Sequence, residues 1–119
     1  MRRIYIIIGI LAVLLFASCG RQHTAESLVK EFVSQHATEP GKMEVIDFGD
    51  LDSTKVIKDS LILDMQTREH ANFKSGIDYT VKTSGRMLYF LRMKYVCEGD
   101  TLQQTFYMDE NLQQIVAFK

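Results

Sequence analysis

Apolar residues from position 24 to 36 recur as Ala25, Leu28, Val29, Phe32 and Val33, with His36 at the rim. Offsets of 3, 4, 7, 8 and 11 from Ala25 put them on one stripe of an amphipathic helix. Thr24 stands where an N-cap is expected, Glu26 falls in the first turn, and Glu39-Pro40-Gly41 stops the helix. Met43 to Phe48 then predicts a strand, and Gly49 to Ser53 a turn or bulge. Beyond it, a strand remnant is expected near Val56 and a second helix from about Asp59 to Ala71, with Leu61, Met65 and Arg68 on one face. The run Leu61-Ile62-Leu63 suits a buried strand as well as a helix. Between Gly76 and Gly85, Ile77 to Val81 alternates as a short strand or an extended connection.

The last third has the clearest pattern. Met87 to Cys97 alternates over its whole length, and Cys97-Glu98-Gly99-Asp100 reads as a turn. Thr101 to Met108 follows as a strand, Asp109-Glu110-Asn111 as a tight turn, and Gln113 to Phe118 as a third strand. In the first strand Leu88, Phe90 and Val96 alternate with Tyr89, Leu91, Met93 and Tyr95, so both faces are partly apolar, while Arg92 and Lys94 interrupt one of them. In the second, Leu102, Phe106 and Met108 share a face, the one-sided pattern of an antiparallel sheet. The predicted class is α+β: a curved antiparallel sheet, built from a C-terminal three-stranded meander plus an earlier strand, with two helices packed on one face. In outline this resembles cystatin-like and NTF2-like domains, which host binding pockets, inhibitors and enzymes alike, so the outline implies no activity.

The first eighteen residues are a different object. Met1-Arg2-Arg3 precedes an apolar run from Ile4 to Phe16 and the small residues Ala17 and Ser18, the layout of a signal peptide. Fifteen residues rise about 22 Å as a helix, short of the ~30 Å needed to span a bilayer. Phe16-Ala17-Ser18-Cys19 resembles the lipobox of bacterial lipoproteins, with Phe where Leu is commoner. That resemblance implies cleavage before Cys19, a diacylglyceryl group on its thiol and acylation of the new amine. Two or three chains anchor firmly where one does not. The expected organisation is a lipoprotein signal peptide at 1–18, the lipidated Cys and a short tether at 19–23, and a single α+β domain at 24–119. Gly20-Arg21-Gln22-His23 lacks the acidic run that resembles the surface-export signal of Bacteroidota lipoproteins, and Gly20 does not resemble the Asp that retains many proteobacterial lipoproteins in the inner membrane. The expected location is the cell envelope, facing the periplasm from the outer or the inner membrane. With the lipobox, the segments VIDFGDLDST (Val45 to Thr54) and QTFYMDENLQQIVAFK (Gln104 to Lys119) are similar to small Bacteroidota lipoproteins, which implies a compartment and a fold but no chemistry.

Charge changes with processing. The whole chain has 14 bases and 15 acids, net −1. Loss of residues 1–18, with Arg2 and Arg3 and no acid, leaves 101 residues with 12 bases and 15 acids, net −3. Neither balance suits a nucleic-acid binder. If Cys19 is alkylated, Cys97 has no partner in the chain for a disulfide and reads as a half-buried residue at a strand end.

Searching for chemistry returns little. HExxH, CxxC, GxSxG and glycine-rich phosphate loops are missing from the sequence, and no catalytic residue, metal ligand set or cofactor is expected. Asp47, Asp50 and Asp52 alternate like a calcium loop without its terminal Glu, and His23 and His36 have no ligand partner nearby in sequence. Asp64 and Arg68 are spaced to pair across one helical turn, on a segment that also holds Glu69 and His70. Tyr89, Tyr95, Phe106, Tyr107, Met87, Met93 and Met108 serve either as core or as the lining of a hydrophobic pocket. Arg86, Arg92 and Lys94 form the local concentration of positive charge and the candidate ligand-binding face.

The functional expectation is a non-enzymatic, lipid-anchored module that binds an envelope protein, a peptide or a small ligand through its sheet. Two alternatives stand beside it. One is a small NTF2-like enzyme with Asp64 or Asp78 as an inward-facing base. The other is a structural subunit of an envelope assembly that adds an exposed edge strand to another sheet.

Overall fold

A computed structural model describes residues 20–119, which form two α-helices and a five-stranded antiparallel sheet, the α+β architecture expected. Cys19 and the leader lie outside the described residues. Helix α1 occupies residues 20–36 and is followed by a 3-10 turn at Pro40–Lys42. The strands are β1 (Met43–Phe48), β2 (Asp52–Thr54), β3 (Leu88–Cys97), β4 (Asp100–Met108) and β5 (Ile115–Phe118), with helix α2 at Asp59–Thr67 between β2 and β3. Strand order is β1-β3-β4-β5, and β2 pairs the same edge of β3 beyond the end of β1. Among the described residues no helix is long and apolar enough to cross a membrane.

Helix α1 extends through the residues expected as a tether. Thr24 lies inside it, and its hydroxyl donates to the Gly20 carbonyl at 2.7 Å, an interior bond and not an N-cap. Gln22 explains the difference: its amide donates to Gly49 O at 3.0 Å and accepts from Leu51 N–H at 2.8 Å, so a tertiary contact holds a polar segment that periodicity alone leaves outside the helix. The apolar stripe behaves as read, with Ala25, Val29, Phe32, Val33 and Ala37 buried.

The second helix lies on the opposite face of the sheet from the first, not beside it. Leu91, Met93, Tyr95 and Cys97 of β3 join α1 in one core cluster. Leu88 and, partly, Phe90 point the other way, into a second cluster with Ile62 and Met65 of α2, Tyr107, Val116 and Ala117. Period-2 alternation makes the two sets opposite faces of one strand. The mixed apolar pattern of β3 recorded a strand covered on both sides, whereas the one-face arrangement treated its second apolar set as merely half exposed. Helix α2 also ends early, at Thr67, because the chain turns extended at Arg68 and carries His70 back onto Phe118, ring centroids 4.0 Å apart.

Twenty residues from Arg68 to Met87 contain no regular strand, and Ile77–Val81 is an extended connection. Anchors hold this segment down. Phe73 and Tyr79 are buried in the α1 cluster and Val81 packs against the α2 cluster, so the segment passes from one face to the other around β5. Gln66 Nε2 donates to Val81 O at 2.7 Å and to Val116 O at 2.8 Å, covering that edge of β5 as a further strand would. Asp59 closes the far end, accepting from the backbone N–H of Ser84 at 2.8 Å and from its hydroxyl at 3.0 Å.

The β3–β4 turn fits the sequence closely. Glu98 and Gly99 have φ of 52° and 85°, both positive as a two-residue type I′ hairpin requires. Strand β2 sits at Asp52–Thr54, and Val56, where a remnant was expected, is 83% exposed. β3 is long enough to pair a second short strand once Gly49 N–H has bonded Arg92 O at 2.9 Å, so the expected turn itself becomes ladder.

Aromatic packing joins α1, the long connection and β4–β5. Phe118 lies 5.5 Å from Phe32, 4.7 Å from Phe73 and 5.4 Å from Phe106, centroid to centroid. Phe118→Ala is expected to cost about 3–5 kcal/mol in urea unfolding, because removing a fully buried ring leaves a cavity. A second prediction concerns pH. Burial first, and the Lys74 charge second, hold the His36 imidazole below its ordinary 6.5. The unfolded chain then binds more protons below pH 6.5, so His36 lowers stability as pH falls from 6.5 toward its native pKa and no further beneath it. His36→Gln is expected to flatten that part of the stability profile in denaturant melts at successive pH values.

Candidate functional site

Helix α2 packs chiefly against β5, and its cluster takes in Leu88 and, partly, Phe90 of β3, so it covers one end of that strand's face. The remainder is open. Arg92 and Lys94 point outward there, both exposed, as their place in the alternation predicts. Cross-strand register sets Thr105 opposite Arg92 and Gln103 opposite Lys94. Thr105 in turn exchanges both backbone hydrogen bonds with Lys119, at 2.8 and 3.0 Å, which brings a third base onto the same row. Among the described residues no carboxylate oxygen lies within 4.0 Å of the charged nitrogens of Arg92, Lys94 or Lys119. Asp47 is the register partner of Lys94 and Asp52 that of Phe90, so acids border this face on the β1–β2 side.

Arg86 does not join the pair. It precedes β3, six residues from Arg92 and thus about 20 Å along an extended chain, and its guanidinium contacts Glu110 at 3.4 Å. Lys119 was not among the expected site residues. Its position on the face follows from the β4–β5 register, which shifts between Tyr107 and Met108, and alternation within one strand carries no trace of that shift.

Where the open face meets α2, a groove of about 220 Å³ is lined by residues that include Thr54, Ile57, Phe90, Arg92, Tyr107 and Lys119. Phe90 and Tyr107 form its aromatic floor, ring centroids 6.1 Å apart and tilted by 44°. Of the aromatic and Met side chains weighed as pocket or core, Tyr107 lines this groove, whereas Tyr95, Phe106, Met93 and Met108 are fully buried on the α1 side.

A larger cleft of about 540 Å³ lies between the end of α2 and residues 74–79. His70 and Tyr79 contribute to its lining. A carbonyl only accepts, so the His70 Nε2 that lies 3.1 Å from Met65 O carries the proton. Burial pushes the Tyr79 phenol up to about 12, which keeps it protonated at neutral pH. The carboxylates expected to serve an enzyme are not turned inward. Asp78 is exposed at the rim and Asp64 is exposed and ion-paired with Arg68 across one helical turn. Neither has the desolvated setting that prepares a carboxyl for proton abstraction.

Asp47, Asp50 and Asp52 are exposed, and among the described residues no group of three or more His, Cys, Asp or Glu is placed to hold a metal ion. Cys97 is buried at the end of β3, its thiol 3.7 Å from Asn72 Oδ1. Set against protein-family models, curated proteins and solved structures, the chain matches none.

Proposed function

We propose that the chain is a lipid-anchored, periplasm-facing module of the cell envelope, non-enzymatic, that binds an anionic partner or ligand on the open half of its sheet. One observation carries this reading: α2 covers half a face, and the other half presents Arg92, Lys94 and Lys119 with no carboxylate partner among the described residues. Three bases follow two adjacent rows of one sheet face, with acids at its β1–β2 border. Anchoring at Cys19, in the outer or the inner membrane, rests on the leader and lipobox pattern, and it would hold α1 near the bilayer while the lipid does the binding. The partner consistent with this face is an envelope protein or peptide with an acidic segment, or a small anion. Arg86 stands apart from it, paired with Glu110.

A second reading has its own observation. The outer edge of β1 pairs with no other described strand and exposes Val45 and Ile46, at 38% and 53%, so a structural subunit would add a strand there.

Crosslinking in the native envelope with wild type and the Arg92→Ala/Lys94→Ala pair tests the first reading. Both side chains are exposed, so the double variant is expected to keep its melting temperature within a few degrees and to lose most of the crosslinked partner. An unchanged crosslink pattern would exclude this face. For the anchor, the intact mass of membrane-extracted protein is expected to show a chain beginning at Cys19 plus its acyl groups, and Cys19→Ala to lose both the added mass and the membrane fraction.

A further inference from the structure

We infer that the groove between Ile57 and the sheet takes a small organic anion bearing one flat apolar group, the ring against Phe90 and the anionic head between Arg92 and Lys119, with the Tyr107 hydroxyl as a donor. This rests on the open face being the ligand-binding face, and it adds the ligand's chemical class. Volume is the first constraint. About 220 Å³ is below the ~300–1,000 Å³ of pockets that enclose whole drug-sized molecules, so the groove admits a single ring or short chain with its head group outside.

Tyr107 is the second. The residue is 94% buried, its relative exposure being 6%, and it lines the groove, yet its hydroxyl makes no hydrogen bond with a described residue. Among the described residues no enclosed side-chain oxygen is left without a partner, so that hydroxyl must open to solvent, and the groove is where Tyr107 meets it. A buried ring with one free O–H at its tip offers the groove a hydrogen-bond donor, while half-buried Phe90 beside it offers the apolar surface.

Charge is the third. Arg92 and Lys119 flank Thr105, two strand spacings or about 10 Å apart at the backbone, and their long side chains can converge on one anion. The bordering acids, Asp47 and Asp52, lie on the β1–β2 side and outside the groove's lining, so an anion is favoured at the Lys119 end. A ligand with its ring toward Phe90 and its head toward Lys119 keeps its charge away from Asp52. A neutral arene leaves the two cations unused, and a bare anion leaves the aromatic floor unused.

Amide chemical shifts of the full chain in lipid nanodiscs test this with four probes: phenyl phosphate, benzoate, inorganic phosphate and benzyl alcohol. Saturable shifts confined to Phe90, Arg92, Thr105, Tyr107 and Lys119 are expected with phenyl phosphate or benzoate. Both halves of the probe contribute, so phosphate and benzyl alcohol are expected to bind about tenfold more weakly, one factor of ten for each half removed. Arg92→Ala and Tyr107→Phe are expected to weaken the aryl anion roughly threefold to tenfold while leaving shifts elsewhere in the sheet unmoved. If phosphate binds as tightly as phenyl phosphate, the aryl-anion inference fails while the anionic face stands. If neither aryl anion gives saturable shifts, the inference also fails, and the crosslinking of the Arg92/Lys94 variant then decides the wider reading alone. Unchanged affinity in both variants would equally overturn it.

Discussion

Strand β3 pairs along both edges and is apolar on both faces for half its length, so it is stable only where something covers each side. Helix α1 covers one side through a stripe of Ala25, Val29, Phe32 and Val33. The other side must be closed by a helix of nine residues, and its own cluster of Ile62, Met65, Leu88, Tyr107, Val116 and Ala117 is correspondingly small. That helix packs chiefly on β5 and meets β3 at Leu88 and, partly, Phe90, so the stretch of β3 with Arg92 and Lys94 is left uncovered. The open half of the face follows from that partial cover. Polar residues take over on the uncovered half because leaving apolar side chains there would cost the hydrophobic free energy of each one exposed.

The same partial cover makes a boundary, and the groove lies on it. Phe90 and Tyr107 belong to the covered half, Arg92 and Lys119 to the open half, and the line between them crosses three strands. Such a seam brings an apolar floor and mobile cations together without any special loop or motif. The residues that share this face are in register across strands and distant in sequence, so no contiguous motif marks it.

The two sheet edges are treated differently. Around β5 the long connection folds over, held by Phe73, Tyr79 and the two bonds of Gln66, and Val116 has its carbonyl satisfied there. Along β1 the edge is left open and is interrupted by a register shift between Val45 and Asp47. Charged residues Glu44 and Asp47 with an irregular ladder are a common defence against unwanted strand addition. The bulge residue Ile46, exposed at 53%, is the apolar exception on that edge.

Local pattern determined much of this protein. The α1 stripe, the limits of β1, the meander of β3, β4 and β5, and the positive-φ turn at Glu98-Gly99 were all legible, because each depends on periodicity or on turn chemistry within a dozen residues. The outward placement of Arg92 and Lys94 was legible for the same reason. What only the tertiary structure decided was which face each helix would take, since Leu88 and Phe90 are apolar whether covered by α1, by α2 or by nothing. It also decided that Arg86 belongs elsewhere, with Glu110, and that Lys119 belongs on the Arg92 row. Both depend on distances between residues far apart in the chain, set by the length of an extended strand in one case and by a shifted β4–β5 register in the other. A side chain's type and phase are properties of its own segment, whereas its neighbours across the sheet are fixed only when the strands have been paired.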